Sequence, residues 1–248
     1  SATEGMDASI RYAAGGQWPL ALTGWVQWRD FRNRVVNGQS GRITLDQRAT
    51  PSSGWGLRAE LRPRLSSAVS LTTGMDWRAS EGVARERAFS GSGQPMADRA
   101  AGGQRDEALL WLGANGQHGR LATSLMVSGQ YWQLSGGFRR ESRLDGNTGT
   151  PDFSFPDRHG WLASGRAGIE WRAGDGLRLF AATSRHHRLP TLNELYRPFV
   201  LFPVTTRANA ALPERLVNDQ ADDFRKRFGF EQHPTGDMPP AGDGVIVF

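Results

Sequence analysis

Apolar and polar residues alternate at every second position in several separate segments of this chain, and this period of two constrains the fold more than any other feature. One segment is apolar at its odd positions and mostly charged at its even ones: Trp55, Leu57, Ala59 and Leu61 against Arg58, Glu60 and Arg62. The pattern recurs at 69–78, 121–131 and 161–172, with weaker versions at about 6–12, 19–30, 106–115 and 177–186. Because successive side chains of a strand point to opposite faces, it predicts about eight strands with one apolar and one polar face.

The connections between these segments alternate between short and long. The short ones cover 13–17, 64–67, 116–119 and 173–176, and the long ones cover about 33–53, 79–105 and 133–160. Short turns at one end and long loops at the other are typical of bacterial transmembrane β-barrels, since lipid offers no partner to an unpaired backbone group. We therefore predict an all-β fold, a segment of an antiparallel up-and-down transmembrane β-barrel.

The tryptophans agree with the dimensions of such a barrel. Trp161 and Trp171 share one face of a predicted strand and lie ten residues apart. At about 3.3 Å per residue and a tilt near 40°, their separation along the membrane normal is roughly 25 Å, the height of the apolar band. Trp18 and Trp55 are expected at strand ends, where they would join an aromatic girdle at the membrane interface.

Composition excludes several kinds of chemistry. The chain has no cysteine, which excludes disulfides, thiolate metal sites and a cysteine nucleophile. Its net charge of +5 comes from arginines spread along the chain rather than from one dense basic patch, and no G-x-S-x-G motif is present. We predict that the chain is not an enzyme, holds no cofactor or metal, and binds no nucleic acid.

Charged residues on the polar face are expected to point into the barrel interior. An arginine facing the middle of the lipid costs about 2–4 kcal/mol, whereas an interior charge is hydrated or paired. The excess of arginine over carboxylate favours an anionic ligand, and the alternative is a general network of interior ion pairs. The candidate interior residues are Arg58, Glu60, Arg62, Asp76, Arg78, Arg166, Glu170 and Arg172.

A motif follows the last predicted strand. Residues 188–196 read RLPTLNELY and resemble the loop of TonB-dependent outer-membrane receptors, in which F-R-x-P-T-x-x-E-L-Y ends a strand and N-P-x-L-x-P-E begins the next. His187 replaces the phenylalanine, and the second box, at 209–216, has Ala210 for its proline and lacks one residue before Pro213. Pro190 is expected to fix the strand exit and Glu194 to pair with a nearby arginine. The motif carries over to Arg188, Pro190, Thr191, Asn193, Glu194, Leu195 and Tyr196.

The resemblance implies a barrel of about 22 strands closed by a plug domain. It implies uptake of a scarce ligand, of the ferric siderophore, haem or cobalamin class, across the outer membrane of a Gram-negative bacterium. The partners would be outer-membrane lipid, the plug domain and the TonB complex of the intact receptor. We expect barrel strands and loops at 1–188 and an extracellular loop at 189–216. The tail at 217–248 shows no alternation, which fits a shifted reading frame or a disordered end.

Two other interpretations stay open at this point. The chain could be a self-contained eight-stranded outer-membrane protein with a structural or adhesive role, since eight strands can close around their own side chains. A soluble β-barrel binder is the third hypothesis. His186 and His187 could bind haem or a metal chelate beside the motif, although two polar residues at a strand exit explain them more simply.

Overall fold

The computed structural model describes residues 1–146, 151–174, 176–197, 199–201, 204–206 and 215–217. These residues form thirteen strands and one short helix, α1 (Leu192–Tyr196). None of the helices in this part of the chain is long and apolar enough to cross a membrane. The strands are β1 (Ala2–Ala14), β2 (Leu20–Val36), β3 (Ile43–Ala49), β4 (Pro51–Leu61), β5 (Val69–Phe89), β6 (Pro95–His118), β7 (Leu121–Arg143), β8 (Phe153–Ser154), β9 (Arg158–Arg172), β10 (Arg178–Arg188), β11 (Phe199–Leu201), β12 (Val204–Thr206) and β13 (Arg215–Val217).

The long strands form one antiparallel meander. Their order is β1-β2-β3-β5-β6-β7-β9-β10-β13. β4 follows β3 along the chain and pairs with the same two neighbours, β2 and β5. β3 and β4 are two parts of one path, interrupted at Thr50, whose backbone N–H donates to the Asp30 carboxylate at 2.7 Å. Eight consecutive paths therefore run up and down between β1 and β10, which confirms the predicted all-β antiparallel fold. Within the described residues β1 pairs with β2 alone, so the sheet is open between β1 and β10.

The two faces of the sheet differ as the alternation predicts. Large apolar side chains of one face are exposed, among them Leu57, Met75, Leu112, Leu125 and Ile169. The opposite face carries charged side chains and buried carboxylates such as Glu60 and Asp76. A water-soluble sheet would bury its apolar face against a second layer, whereas this face needs lipid beside it.

Aromatic residues on the apolar face line up across neighbouring strands. Trp77 lies opposite Ala108, Ala108 opposite Tyr131, and Tyr131 opposite Trp161. The Tyr131 and Trp161 ring centroids are 5.3 Å apart. Trp171 lies ten residues further along β9, as the dimensional argument requires. Trp18 lies between two strands, as expected. The expectation that Trp55 lies at a strand end was wrong, because this residue lies inside β4. Its ring packs edge-on against Trp77, with 4.7 Å between the ring centroids.

The long connections are shorter than the sequence indicated, because the strands continue into them. The connections between long strands occupy 37–42, 90–94 and 144–157, instead of 33–53, 79–105 and 133–160. Beyond the apolar band both faces of a strand meet water, so the alternation disappears while backbone pairing persists. Ion pairs hold these extensions: Arg87 to Asp98 at 2.7 Å and Arg99 to Glu141 at 2.7 Å.

Gly74 provides a test of packing on the polar face. A Cβ at Gly74 would collide with the Trp111 ring and with the Ala59 carbonyl, whereas at Gly113 the nearest atoms lie 3.5 Å away. We expect Gly74→Ala to lower the free energy of unfolding by about 1–3 kcal/mol, the usual cost of overpacking, and Gly113→Ala to leave it nearly unchanged. Urea titration of the chain refolded in detergent micelles measures both. Equal stabilities for the two variants would contradict the packing described.

Candidate functional site

Arginines and carboxylates two residues apart pair along the same strand. On β4 the Arg58 guanidinium donates to Glu60 at 2.8 Å, and Arg62 donates to the same carboxylate. On β5 the Arg78 Nε donates to Asp76 at 2.6 Å. Arg58 lies directly opposite Asp76, so the two strands contribute to one network. Five of the eight predicted interior residues therefore come together on the polar face.

Two further members of this network, Arg105 and Glu107, were not predicted from the sequence. On β6 the Arg105 Nε lies 2.8 Å from Glu107, and Glu107 lies directly opposite Arg78. Gln130 on β7 donates to Glu107 at 3.1 Å. The spacing of two between Arg105 and Glu107 was the available signal, but it fell at the boundary assigned to a long loop.

The carboxylates of this network are more deeply buried than its guanidinium groups. Glu60 and Asp76 are only 8% and 6% exposed. The side chains of Arg58 and Arg78 are 48% and 52% exposed. Arg58 also lies over the Trp111 ring, 4.9 Å from its centroid. The polar face therefore presents guanidinium groups outward and keeps the carboxylates beneath them.

The three remaining predicted interior residues lie elsewhere, on β9. Arg172 pairs with Glu170 at 3.2 Å. Arg166 has no ion pair among the described residues and lines a groove of about 850 Å³. Small and polar side chains form much of this groove, including Ser70, Asn115 and Ser124. The β9 residues thus form a second region rather than an extension of the first network.

The motif residues fold back onto the polar face. Thr191 begins α1 with a capping box, in which its hydroxyl accepts from the Glu194 backbone N–H at 3.2 Å and Glu194 accepts from the Thr191 backbone N–H at 2.7 Å. Arg188 donates to Glu194 at 2.6 Å, so Glu194 has an arginine partner. The Pro190 carbonyl accepts from Arg105 at 3.3 Å, two residues after β10 ends. Asn193 is exposed.

The last two motif residues form the centre of a hydrophobic core. Leu195 is 0% and Tyr196 2% exposed. They pack with Ala101, Trp132, Leu134 and Leu189, and the Phe155 ring stacks on Tyr196 at 5.0 Å between centroids.

Arg197, just beyond the motif, binds Glu86 of β5 at 2.7 Å. This contact was not predicted, because Glu86 lies in a segment that was interpreted as a loop.

The predicted second box at 209–216 and the tail at 217–248 lie outside the described residues, except for β13. His186 and His187 lie on β10, opposite Val217 and Leu216. Across the described ranges no group of three or more His, Asp or Glu side chains is arranged to hold a metal ion.

Such an open antiparallel sheet, with an exposed apolar face and paired charges opposite, has the construction of a transmembrane β-barrel wall. The sequence matches the family described as TonB dependent receptor-like, beta-barrel, over residues 2–222. The chain belongs to this family of outer-membrane receptors.

One solved receptor structure shows the same fold. The chain is similar to the ferric yersiniabactin uptake receptor FyuA from Yersinia pestis, with a TM-score of 0.57 and 12% identity over 76% of this chain and 29% of FyuA. It is also similar to the ferric citrate transporter FecA, with a TM-score of 0.48 and 12% identity over 75% of this chain and 27% of FecA. The chain thus spans less than a third of either receptor. A comparison with curated proteins found no match.

The environment of Glu194 predicts that the docking of α1 depends on pH. The Thr191 backbone N–H and the Arg188 guanidinium hold the pKa of the Glu194 carboxyl below its usual range. A lowered pKa means that the carboxylate stabilises the fold above its ordinary pKa, and that this contribution is lost as the pH falls through the folded-state pKa.

We therefore expect Glu194→Gln to lower the free energy of unfolding at pH 7, and the difference from the unsubstituted chain to shrink by pH 3. Denaturant titrations at both pH values measure this difference. Asn193→Ala, at the exposed neighbouring position, is the control and should leave the pH dependence of stability unchanged. A Glu194→Gln deficit of equal size at both pH values would contradict the charge-assisted contact.

Proposed function

We propose that this chain is a wall and loop segment of a TonB-dependent importer that takes up an anionic chelate, such as a ferric siderophore, across the outer membrane of a Gram-negative bacterium. Its apolar face contacts outer-membrane lipid. Its polar face lines the interior, toward the plug domain of the intact receptor, which receives energy through the TonB complex. The segment itself carries out no catalysis.

The distribution of charge on the polar face carries this proposal. The carboxylates Glu60 and Asp76 are buried, while their arginine partners remain about half exposed. A ligand that approaches this wall meets guanidinium groups first, and in a confined interior such a surface attracts anions. Guanidinium groups also present several donors to carboxylate or hydroxamate-type oxygens. An anionic, oxygen-rich chelate is the class of ligand that fits this surface.

Arg166 supports the same ligand class in the second region. It lines the groove on β9 without an ion pair among the described residues. Among the described residues no carboxylate pairs with this guanidinium, and the small side chains around it leave space for a ligand. We assign this groove to the path of the anion along the wall.

The open sheet argues against a self-contained eight-stranded barrel. Such a barrel would need β1 to pair with β10, and in the described part of the chain β1 pairs only with β2. The wall therefore fits a wider barrel to which further strands contribute.

Substitution of Arg166 tests the proposed ligand class in the intact receptor that carries this segment. We expect Arg166→Gln to weaken binding of an anionic ferric chelate by about tenfold, equivalent to ~1.4 kcal/mol, and to leave a neutral chelate unaffected. The loss should diminish at high salt, since screening weakens interactions between solvent-exposed charges. Radiolabelled iron uptake and equilibrium binding by cells that express the receptor measure the effect.

Arg120→Gln is the matched control, because Arg120 lies in the exposed turn between β6 and β7. Equal losses for Arg120→Gln and Arg166→Gln, or equal losses for neutral and anionic chelates, would refute the proposed charge recognition.

A further inference from the structure

We propose that residues 189–197 form an internal strut, a folded segment that crosses the polar face from β10 to β5 and fixes the curvature of the barrel wall on the side of the long connections. This inference goes beyond the proposed function and does not depend on which ligand is carried. It assigns the motif a mechanical role, in which Tyr196 and Arg197 are the positioning residues.

The distances allow such a crossing. β5, β6, β7, β9 and β10 are consecutive in the sheet, so four strand spacings separate β10 from β5. At about 4.8 Å each, this is roughly 19 Å. Four extended residues span about 13 Å and the five residues of α1 about 7.5 Å, so the segment after Arg188 reaches about 21 Å and can cross these strands.

Tyr196 anchors the strut to β6 and β7 in a socket made of glycine. A Cβ at Gly103 on β6 would lie 2.8 Å from the Tyr196 ring, and one at Gly137 on β7 would lie 2.6 Å from it. The socket coincides with a bulge between Gly102 and Gln104, opposite Gly136, whose φ of 58° suits glycine. The ring therefore occupies the space that side chains on two adjacent strands would otherwise fill.

Polar contacts fix the two ends of the strut. At the far end the Arg197 guanidinium lies 2.7 Å from Glu86 of β5, and these side chains are 13% and 4% exposed. At the near end Arg188 of β10 binds Glu194, and Arg105 of β6 donates to the Pro190 carbonyl. A buried, charge-assisted pair is costly to break, because its partner is left uncompensated.

Contacts between strands that are not neighbours have a mechanical consequence. Backbone ladders connect each strand only to the next, so small changes in the angle between neighbours add up across the sheet. Because the strut contacts β5, β6, β7 and β10 at the same time, it limits the total change in angle across these strands. It therefore sets the spacing of β5 and β10 at the end of the barrel where the strut lies.

The chain contains no cysteine, so single introduced thiols report on the strut without interference. We expect the Leu195→Cys variant of the intact receptor that carries this segment, with other cysteines removed and in detergent micelles, to react with a water-soluble maleimide at least tenfold more slowly than the Asn193→Cys variant. Leu195 is buried and Asn193 is exposed on the same helix. Equal rates would show that α1 is not docked and would overturn the proposal.

Substitutions in the socket test what holds the strut. In the Leu195→Cys background, Tyr196→Ala and Gly137→Ala should each raise the labelling rate at least tenfold, while Tyr196→Phe, which keeps the ring, should not. Gly129→Ala is the control on β7, because nothing lies within 4 Å of a Cβ at that position. Unchanged rates for both Tyr196→Ala and Gly137→Ala would overturn the assignment of the socket.

Spin-label distances distinguish a strut from a loop that is merely buried. In a Gly91→Cys and Arg185→Cys pair at the long-connection end, Tyr196→Ala should broaden the distance distribution. A Ser67→Cys and Arg178→Cys pair at the short-turn end should keep its distribution. If the first pair does not broaden although Leu195→Cys becomes reactive, the segment does not fix curvature and the proposal fails. Circular dichroism establishes that each variant is folded. If Tyr196→Ala does not refold, Arg197→Gln replaces it, and we expect this variant to broaden the distance distribution of the first pair as well.

Discussion

Backbone pairing between consecutive strands is the interaction on which the whole structure depends. In a lipid environment each unpaired N–H or C=O costs several kcal/mol, and the strands of the described residues satisfy these groups in ladders. The register runs with few interruptions from β1 to β10. Once the ladders are fixed, the direction of the strand side chains follows, and large apolar side chains of one face remain exposed.

On the polar face the charged side chains need partners, since they cannot all remain hydrated in a crowded interior. Arg58 and Arg62 share the Glu60 carboxylate, and the Arg58 guanidinium also lies over the Trp111 ring. Farther along the sheet the hydrophobic core is small, and the motif helix rather than a second sheet supplies its central residues. The face therefore has two functions, with a charged surface in one part and a packed contact between non-adjacent strands in another.

The period-two alternation predicted the strands and their faces because lipid and water impose opposite demands on successive residues. It could not predict the extensions of β5 and β6, where both faces meet water and the pattern is lost. Glu86 and Arg105 were missed for the same reason, since both fell in a segment without alternation. The motif located Glu194 and its arginine partner, but it did not predict the contacts of Tyr196, because the socket depends on Gly103 and Gly137 of distant strands. A glycine in a strand can mark a bulge, a bend or a close contact, and only the three-dimensional packing shows which of these applies.

The spacing of two between opposite charges has a consequence for how this wall enters a membrane. Asp76 with Arg78, Arg105 with Glu107, and Glu170 with Arg172 each lie on one strand. These three strands thus carry counter-ions of their own, and these pairs need no neighbouring strand to be neutralised. A hairpin that contains one of them would enter the hydrocarbon layer with that pair already compensated, so we expect the electrostatic cost of inserting these pairs to be independent of the order in which the strands assemble.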